Sequence, residues 1–115
     1  MYFEKFSFGT ICIGWTTYNH DAVIDRGEVR RRKKKPSKEL RDAFGHTPVS
    51  RNEAIPWKCR TLVIGTGTGA LPVMDEGKRE AKRRKIKLVI LPTQKAIEEL
   101  KKEAAATNAI LHVTC

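Results

Sequence analysis

The alternating run Gly65-Thr66-Gly67-Thr68-Gly69, set directly after the apolar stretch Thr61-Leu62-Val63-Ile64, constrains this chain more than any other feature. A short β-rich run that enters alternating glycines is a strand-to-helix turn, in which the backbone comes close to a neighbour because glycine reaches positive φ and has no Cβ to clash. Such a turn serves one of two ends. Its N–H groups cradle an anion, or its glycines admit the next element at short range.

The residues after the loop are regular. Val73 to Lys85 places Val73, Met74, Gly77 and Ala81 on one side and charges on the other, which predicts a helix. Leu88 to Leu91 reads as a second buried strand. Thr93 then caps a helix through Thr107 with Ala96, Ile97, Leu100 and Ala104 facing inward, and Ala109 to Val113 is a final strand. Strand, helix, strand, helix, strand requires a parallel sheet with right-handed crossovers.

Upstream, Asp21 to Asp25 and Glu28 to Lys33, separated by Arg26-Gly27, predict a β-hairpin, and Phe8 to Gly14 a further strand. Lys34 to Ser50 reads as an irregular connection with a short helix at Lys38 to Ala43, and Ser50 caps another short helix through Glu53. A chain of 115 residues has room for one core. Residues 1–115 are therefore expected to form a single three-layer α/β domain. Its sheet is mixed and mostly parallel, with an added N-terminal antiparallel hairpin and helices packed on it.

Between a strand and a helix, Gly65-Thr66-Gly67-Thr68-Gly69-Ala70 matches the loose dinucleotide pattern and the glycine loop of methyltransferases. Both uses require an acidic residue at the end of the following strand, where this chain has Leu91-Pro92-Thr93-Gln94. Val63 stands where the methyltransferase pattern has an acid, and no Gly-Lys-Ser or Gly-Lys-Thr follows to make a Walker A loop. No organic cofactor is expected. Gly65, Thr66, Gly67, Thr68 and Gly69 remain candidates for a small anion beside their purely structural reading.

The net charge of +10 favours anionic partners. Its densest run is Arg30, Arg31, Arg32, Lys33, Lys34 and Lys35, and a strand with cations on both faces lies at a sheet edge or leaves the sheet. Such charge keeps an edge from pairing with other chains, or it binds nucleic acid or an acidic protein. A second cluster comprises Lys78, Arg79, Lys82, Arg83, Arg84, Lys85 and Lys87. Without interleaved aromatics, a helix-turn-helix pattern or zinc-finger spacing, only non-specific nucleic-acid contacts are supported.

Candidates for catalysis are His20, His46, His112, Cys59, Cys115, Asp21, Asp25 and Asp75, with no spacing that makes them converge. No catalytic residue is assigned. The three histidines are 26 and 66 residues apart, so no metal site is expected. Cys12, Cys59 and Cys115 form neither a disulfide framework nor a metal knuckle, which predicts reduced thiols. With no leader and no apolar run of about 18 residues, a cytoplasmic protein without membrane contact is expected.

Leu62-Val63-Ile64-Gly65-Thr66-Gly67, Leu91-Pro92-Thr93 followed by Ala96, and the closing His112-Val113-Thr114-Cys115 resemble a small family whose domain has no assigned function. It is the family of the animal adipogenesis-associated protein and of a mitochondrial complex I assembly factor, and the basic run Arg30 to Lys35 fits it too. The resemblance covers most of the chain, and His112, Thr114 and Cys115 are its most specific residues. It implies a three-layer α/β fold, no established enzymatic activity, and relatives that act in assembly or regulation. Leu100-Lys101 replaces an aromatic-Asn pair common in the family, and Gly45-His46-Thr47-Pro48 replaces a Ser-His arrangement.

The expectation is a non-enzymatic assembly or regulatory adaptor that acts through protein contacts at Arg30 to Lys35, with Gly65 to Gly67 and His112 to Cys115 as secondary surfaces. The alternative is a binding module for a phosphate-bearing ligand or nucleic acid. Exposed strand edges leave an oligomer open.

Overall fold

The computed structural model describes residues 3–7, 9–32, 55–67, 73–102 and 106–113. The predicted segments within Lys34 to Ser50 and the short helix from Ser50 to Glu53 lie outside these residues. Among the described residues, eight strands and two helices follow in order: β1 Phe3–Ser7, β2 Thr10–Ile13, β3 Thr16–Tyr18, β4 Ala22–Asp25, β5 Glu28–Arg31, β6 Thr61–Gly65, α1 Asp75–Arg83, β7 Lys87–Leu91, α2 Thr93–Lys102 and β8 Thr107–Leu111.

β1, β2 and β3 form an antiparallel three-stranded sheet, and the others form a five-stranded sheet in the order β5-β4-β8-β6-β7. β6 runs parallel to both β7 and β8, while β4 is antiparallel to β8 and β5. The sheet is thus mixed, with the predicted hairpin added to a parallel core. Arg26 and Gly27 both have positive φ, 51° and 84°, as a two-residue turn between twisted strands requires. Gly14 and Trp15 do the same between β2 and β3, with φ of 52° and 70°.

Period-two alternation sends the central strands' side chains to two cores. Ala22, Ile24, Val63, Ala109 and Leu111 pack on one face against Ala96, Ile97 and Leu100 of α2 and against Phe3, Ile11 and Ile13 of the small sheet. Val23, Leu62, Ile64 and Ile110 pack on the other against Ala81 of α1, Ile86 and Ile55. Burial on both faces explains why these strands read as nearly continuous apolar runs. β7 departs from the expectation of a buried strand, since it lies at the sheet edge with Ile90 exposed.

Both helices are shorter than predicted. α1 ends in a turn where Ile86 N–H donates to the Ala81 carbonyl (2.9 Å) and Lys85 N–H to the Lys82 carbonyl (3.1 Å), with Lys85 left-handed at φ 59°. α2 is described as far as Lys102, and Thr107, predicted as its last residue, instead begins β8. Ala106 just before it has φ 55°, and its carbonyl accepts from Arg60 N–H at 2.8 Å. That bond draws the chain into the sheet ahead of β6.

Candidate functional site

The crossover through α1 leads from β6 to β7, and the one through α2 leads back past β6 to β8, so the helices cover opposite faces. The connections after β6 and β7 therefore diverge at the carboxyl ends of these strands, the crevice where doubly wound sheets hold ligands. The glycine loop lies there. Thr66 donates to the Leu91 carbonyl through its N–H (2.8 Å) and its hydroxyl (3.1 Å). Thr93 N–H donates to the Gly67 carbonyl at 2.9 Å, and Gly67 N–H donates to Thr93 Oγ1 at 2.8 Å. The Thr93 hydroxyl in turn donates a hydrogen bond to the His112 carbonyl at 2.8 Å.

These bonds account for the glycines at the start of the loop. A Cβ on Gly65 would lie 2.8 Å from Thr93 Oγ1 and 3.1 Å from its Cα, and Gly67 has φ 70°. The N–H of Gly67 is turned to Thr93 rather than outward. Thr93 is predicted from the sequence as a helix cap, but its hydroxyl joins the glycine loop to the chain after β8 instead of serving α2. Gly65, Thr66 and Gly67 are buried, whereas Thr68 and Gly69 lie outside the described residues.

The second grouping is not legible as a motif. Asp21, Arg32 and His112 meet in the interior, with Asp21 Oδ2 2.9 Å from Arg32 Nη1 and 2.8 Å from His112 Nδ1. An ionised carboxylate only accepts, so the latter contact places a proton on Nδ1. Asp21 Oδ1 accepts from Val113 N–H at 2.7 Å, and Arg32 N–H donates to the Asp21 carbonyl at 2.9 Å. One carboxylate thus ties together the start of β4, the end of β5 and the chain after β8. Sequence reasoning expects His112 on a secondary surface and Arg32 on a basic one, and both are buried. Thr114 and Cys115 lie outside the described residues.

Of the basic run, Arg30 is half-buried and Arg31 exposed on the edge strand β5, in line with the expectation for a cation-rich strand. Arg32 turns inward because a carboxylate waits there, and Lys33, Lys34 and Lys35 lie outside the described residues. Lys87 sits on β7, at the opposite edge of the same sheet. The first basic cluster therefore begins on one edge of the sheet, and the second runs along α1 and ends on the other.

The remaining polar candidates are dispersed. His20 Nδ1 lies 3.0 Å from the Asp21 carbonyl, Asp25 pairs with Arg26, and Asp75 is in the first turn of α1. Cys59 donates to the Pro56 carbonyl at 3.5 Å, and burial pushes its thiol above the ordinary range. His46 and Cys115 lie outside the described residues. Among the described residues, no three His, Cys, Asp or Glu side chains gather as metal ligands, and no helix is long and apolar enough to cross a membrane.

These features define a class of protein: a single compact α/β domain with a mixed five-stranded sheet, an antiparallel N-terminal sheet and two crossover helices. Solved structures share it over nearly the whole chain. A conserved hypothetical protein from Pyrococcus horikoshii is 25% identical, with a TM-score of 0.81 and complete coverage of both chains. A protein called MT938 is 24% identical with a TM-score of 0.69, over 98% of this chain and 97% of its own. A Bordetella pertussis protein with an Mth938-like domain is 18% identical with a TM-score of 0.63, over 96% of this chain and 84% of its own. No family model and no curated protein matches the sequence.

Proposed function

We propose that this chain is a non-enzymatic cytoplasmic adaptor that acts in assembly or regulation by binding an acidic face of a partner protein. The observation that carries the reading is the block of exposed cations at the end of α1 and the start of β7. Lys82, Arg83, Arg84, Lys85 and Lys87 all face solvent, interrupted only by Ile86, which anchors the turn in the core. Acidic Glu80 pairs with Arg83 and Arg84, leaving an excess of positive charge. An unbalanced charged surface of this kind steers association with a surface of opposite sign. The resemblance to a family with assembly factors agrees with the reading.

The test is capture of the tagged chain and of a Lys82→Glu/Lys85→Glu/Lys87→Glu variant from the source cell's extract, with and without nuclease. A discrete protein that survives nuclease and is lost from the variant supports the adaptor. Material that disappears on nuclease treatment overturns it in favour of polyanion binding.

A further inference from the structure

A cleft of about 290 Å³ opens between the β4–β5 turn, the segment before β6 and the end of α1, lined by Asp25, Arg26, Ile55, Pro56, Trp57, Lys58 and Arg84. We propose that it is a binding site for a nucleoside monophosphate. The site lies on the α1 face of the sheet, away from the glycine loop's bonds to Thr93, and shares only Arg84 with the cation block of the adaptor reading.

The cleft is held together by one buried amide. Asn108 on β8 accepts from Arg26 N–H on one wall at 2.8 Å through Oδ1. Its Nδ2 donates to the Pro56 carbonyl at 2.9 Å and the Lys58 carbonyl at 3.2 Å on the other wall. The amide thus engages backbone groups of two lining cations, Arg26 and Lys58, and of Pro56. The walls are fixed in relation to each other before any ligand arrives, which reduces the ordering that binding requires.

The lining has two kinds of surface. Arg26, Lys58 and Arg84 against Asp25 give three cations to one carboxylate, and that carboxylate is already paired with Arg26 Nε at 3.0 Å. Arg84 Nε is held by Glu80 at 2.9 Å, and its guanidinium lies 5.1 Å from the centre of the Trp57 ring. Among the described residues, the terminal nitrogens of Arg26 and Arg84 and Nζ of Lys58 have no hydrogen-bond acceptor. These donors match the oxygens of a phosphate.

Beside them, Ile55, Pro56 and the indole of Trp57 form an apolar floor, and the Arg84 guanidinium lies over the indole as a further flat surface. A bare inorganic anion would leave that floor uncovered. A nucleobase covers it, and stacking accepts any base because every base has a π face. The volume stands at the lower end of the range for small-molecule sites, about 300 Å³, which suits one nucleotide rather than a dinucleotide.

The experiment uses the full chain with Trp15→Phe, which leaves Trp57 as the single tryptophan, and follows its fluorescence during titration with AMP, GMP, CMP and UMP. The expected result is a saturable change with a Kd of about 1 mM or tighter for at least one of them. Adenosine and inorganic phosphate are each expected to bind more weakly than AMP. Lys58→Ala and Arg26→Ala should each weaken binding about tenfold through the loss of one charged hydrogen-bond donor. Lys101→Ala, on the opposite face of the sheet, should leave it unchanged. The proposal is overturned by the lack of a saturable change with all four nucleotides, or by binding that Lys58→Ala and Arg26→Ala leave intact. It is also overturned if single-stranded oligoadenylate binds, AMP does not, and the cleft variants make no difference. The Lys82, Lys85 and Lys87 reversal tests the adaptor on a different set of side chains, so either reading fails without the other.

Discussion

Asp21 Oδ2 lies 2.9 Å from Nη1 of Arg32, and the two side chains keep 0% and 1% of their surface in solvent. The register of the hairpin creates the pair. A two-residue turn at Arg26-Gly27 sets Asp25 opposite Glu28 and Ala22 opposite Arg31, so the next residues outward, Asp21 and Arg32, face one another. β8 brings His112 to the same point by pairing Leu111 with Ala22. The removal of either partner of such a buried pair strands the other in the interior.

Asp21→Ala should therefore lower stability by about 3–5 kcal/mol, and Arg32→Ala should fall in the same range. Arg31→Ala, one residue away on the exposed side, should change stability by no more than about 0.5 kcal/mol. Guanidinium unfolding of the three variants provides the check, and similar small shifts in all three would place Arg32 in solvent.

The approach of Thr93 to Gly65 gives a second expected outcome. Gly65→Ala forces a Cβ to 2.8 Å from Thr93 Oγ1 and 3.1 Å from its Cα, an overpacking that costs about 1–3 kcal/mol. Thr93→Ala leaves Gly67 N–H without its acceptor and costs about 1–3 kcal/mol. The double variant should be less destabilised than the sum, because the clashing oxygen is gone while the backbone of α2 still crowds the new methyl group. Strict additivity in denaturant unfolding would contradict direct packing of the two residues.

Lys85 stands where helix ends favour glycine. Its φ of 59° strains any residue with a Cβ, while the bonds from Lys85 and Ile86 to the preceding turn hold it there. Lys85→Gly should raise stability by about 1 kcal/mol despite the loss of a side chain. Lys85→Ala should not, since it keeps the Cβ. A gain from both variants would assign the effect to charge rather than to backbone conformation.

Local signals in the sequence reveal those features that short-range chemistry determines. The Arg26-Gly27 turn, the apolar runs of β6 and β8 and the period of α2 are readable because turn residues and alternation act over a few positions. β1 and β3 are not, since Phe3–Ser7 and Thr16–Tyr18 derive their pairing from β2 and lack a sustained apolar pattern of their own. Arg32 reads with its basic neighbours because charge normally remains in solvent, yet the hairpin register already places Asp21 opposite it. The part of His112 is hidden by distance in the chain, 91 residues from Asp21. Asn108 carries no signal at all. An amide that bonds Arg26, Pro56 and Lys58 becomes recognisable only once the sheet order is known.

Glu80 offers an acid-range test of the cation block at the end of α1. Hydrogen bonds from Arg83 and then Arg84 hold its carboxyl down to about 2, against an ordinary value of 4.5. As the pH falls, the unfolded chain takes up this proton first, so stability declines. The contribution is complete above 4.5 and is lost as the pH falls through about 2. Because these side chains are at the surface, salt screens the attraction, and about 1 M sodium chloride should move the Glu80 midpoint back toward the ordinary value. A carboxyl-detected NMR titration at low and high salt measures both midpoints. A low-salt midpoint near 4.5 would mean that Arg83 and Arg84 point away from Glu80, which leaves them free to add to the positive surface on which an acidic partner would dock.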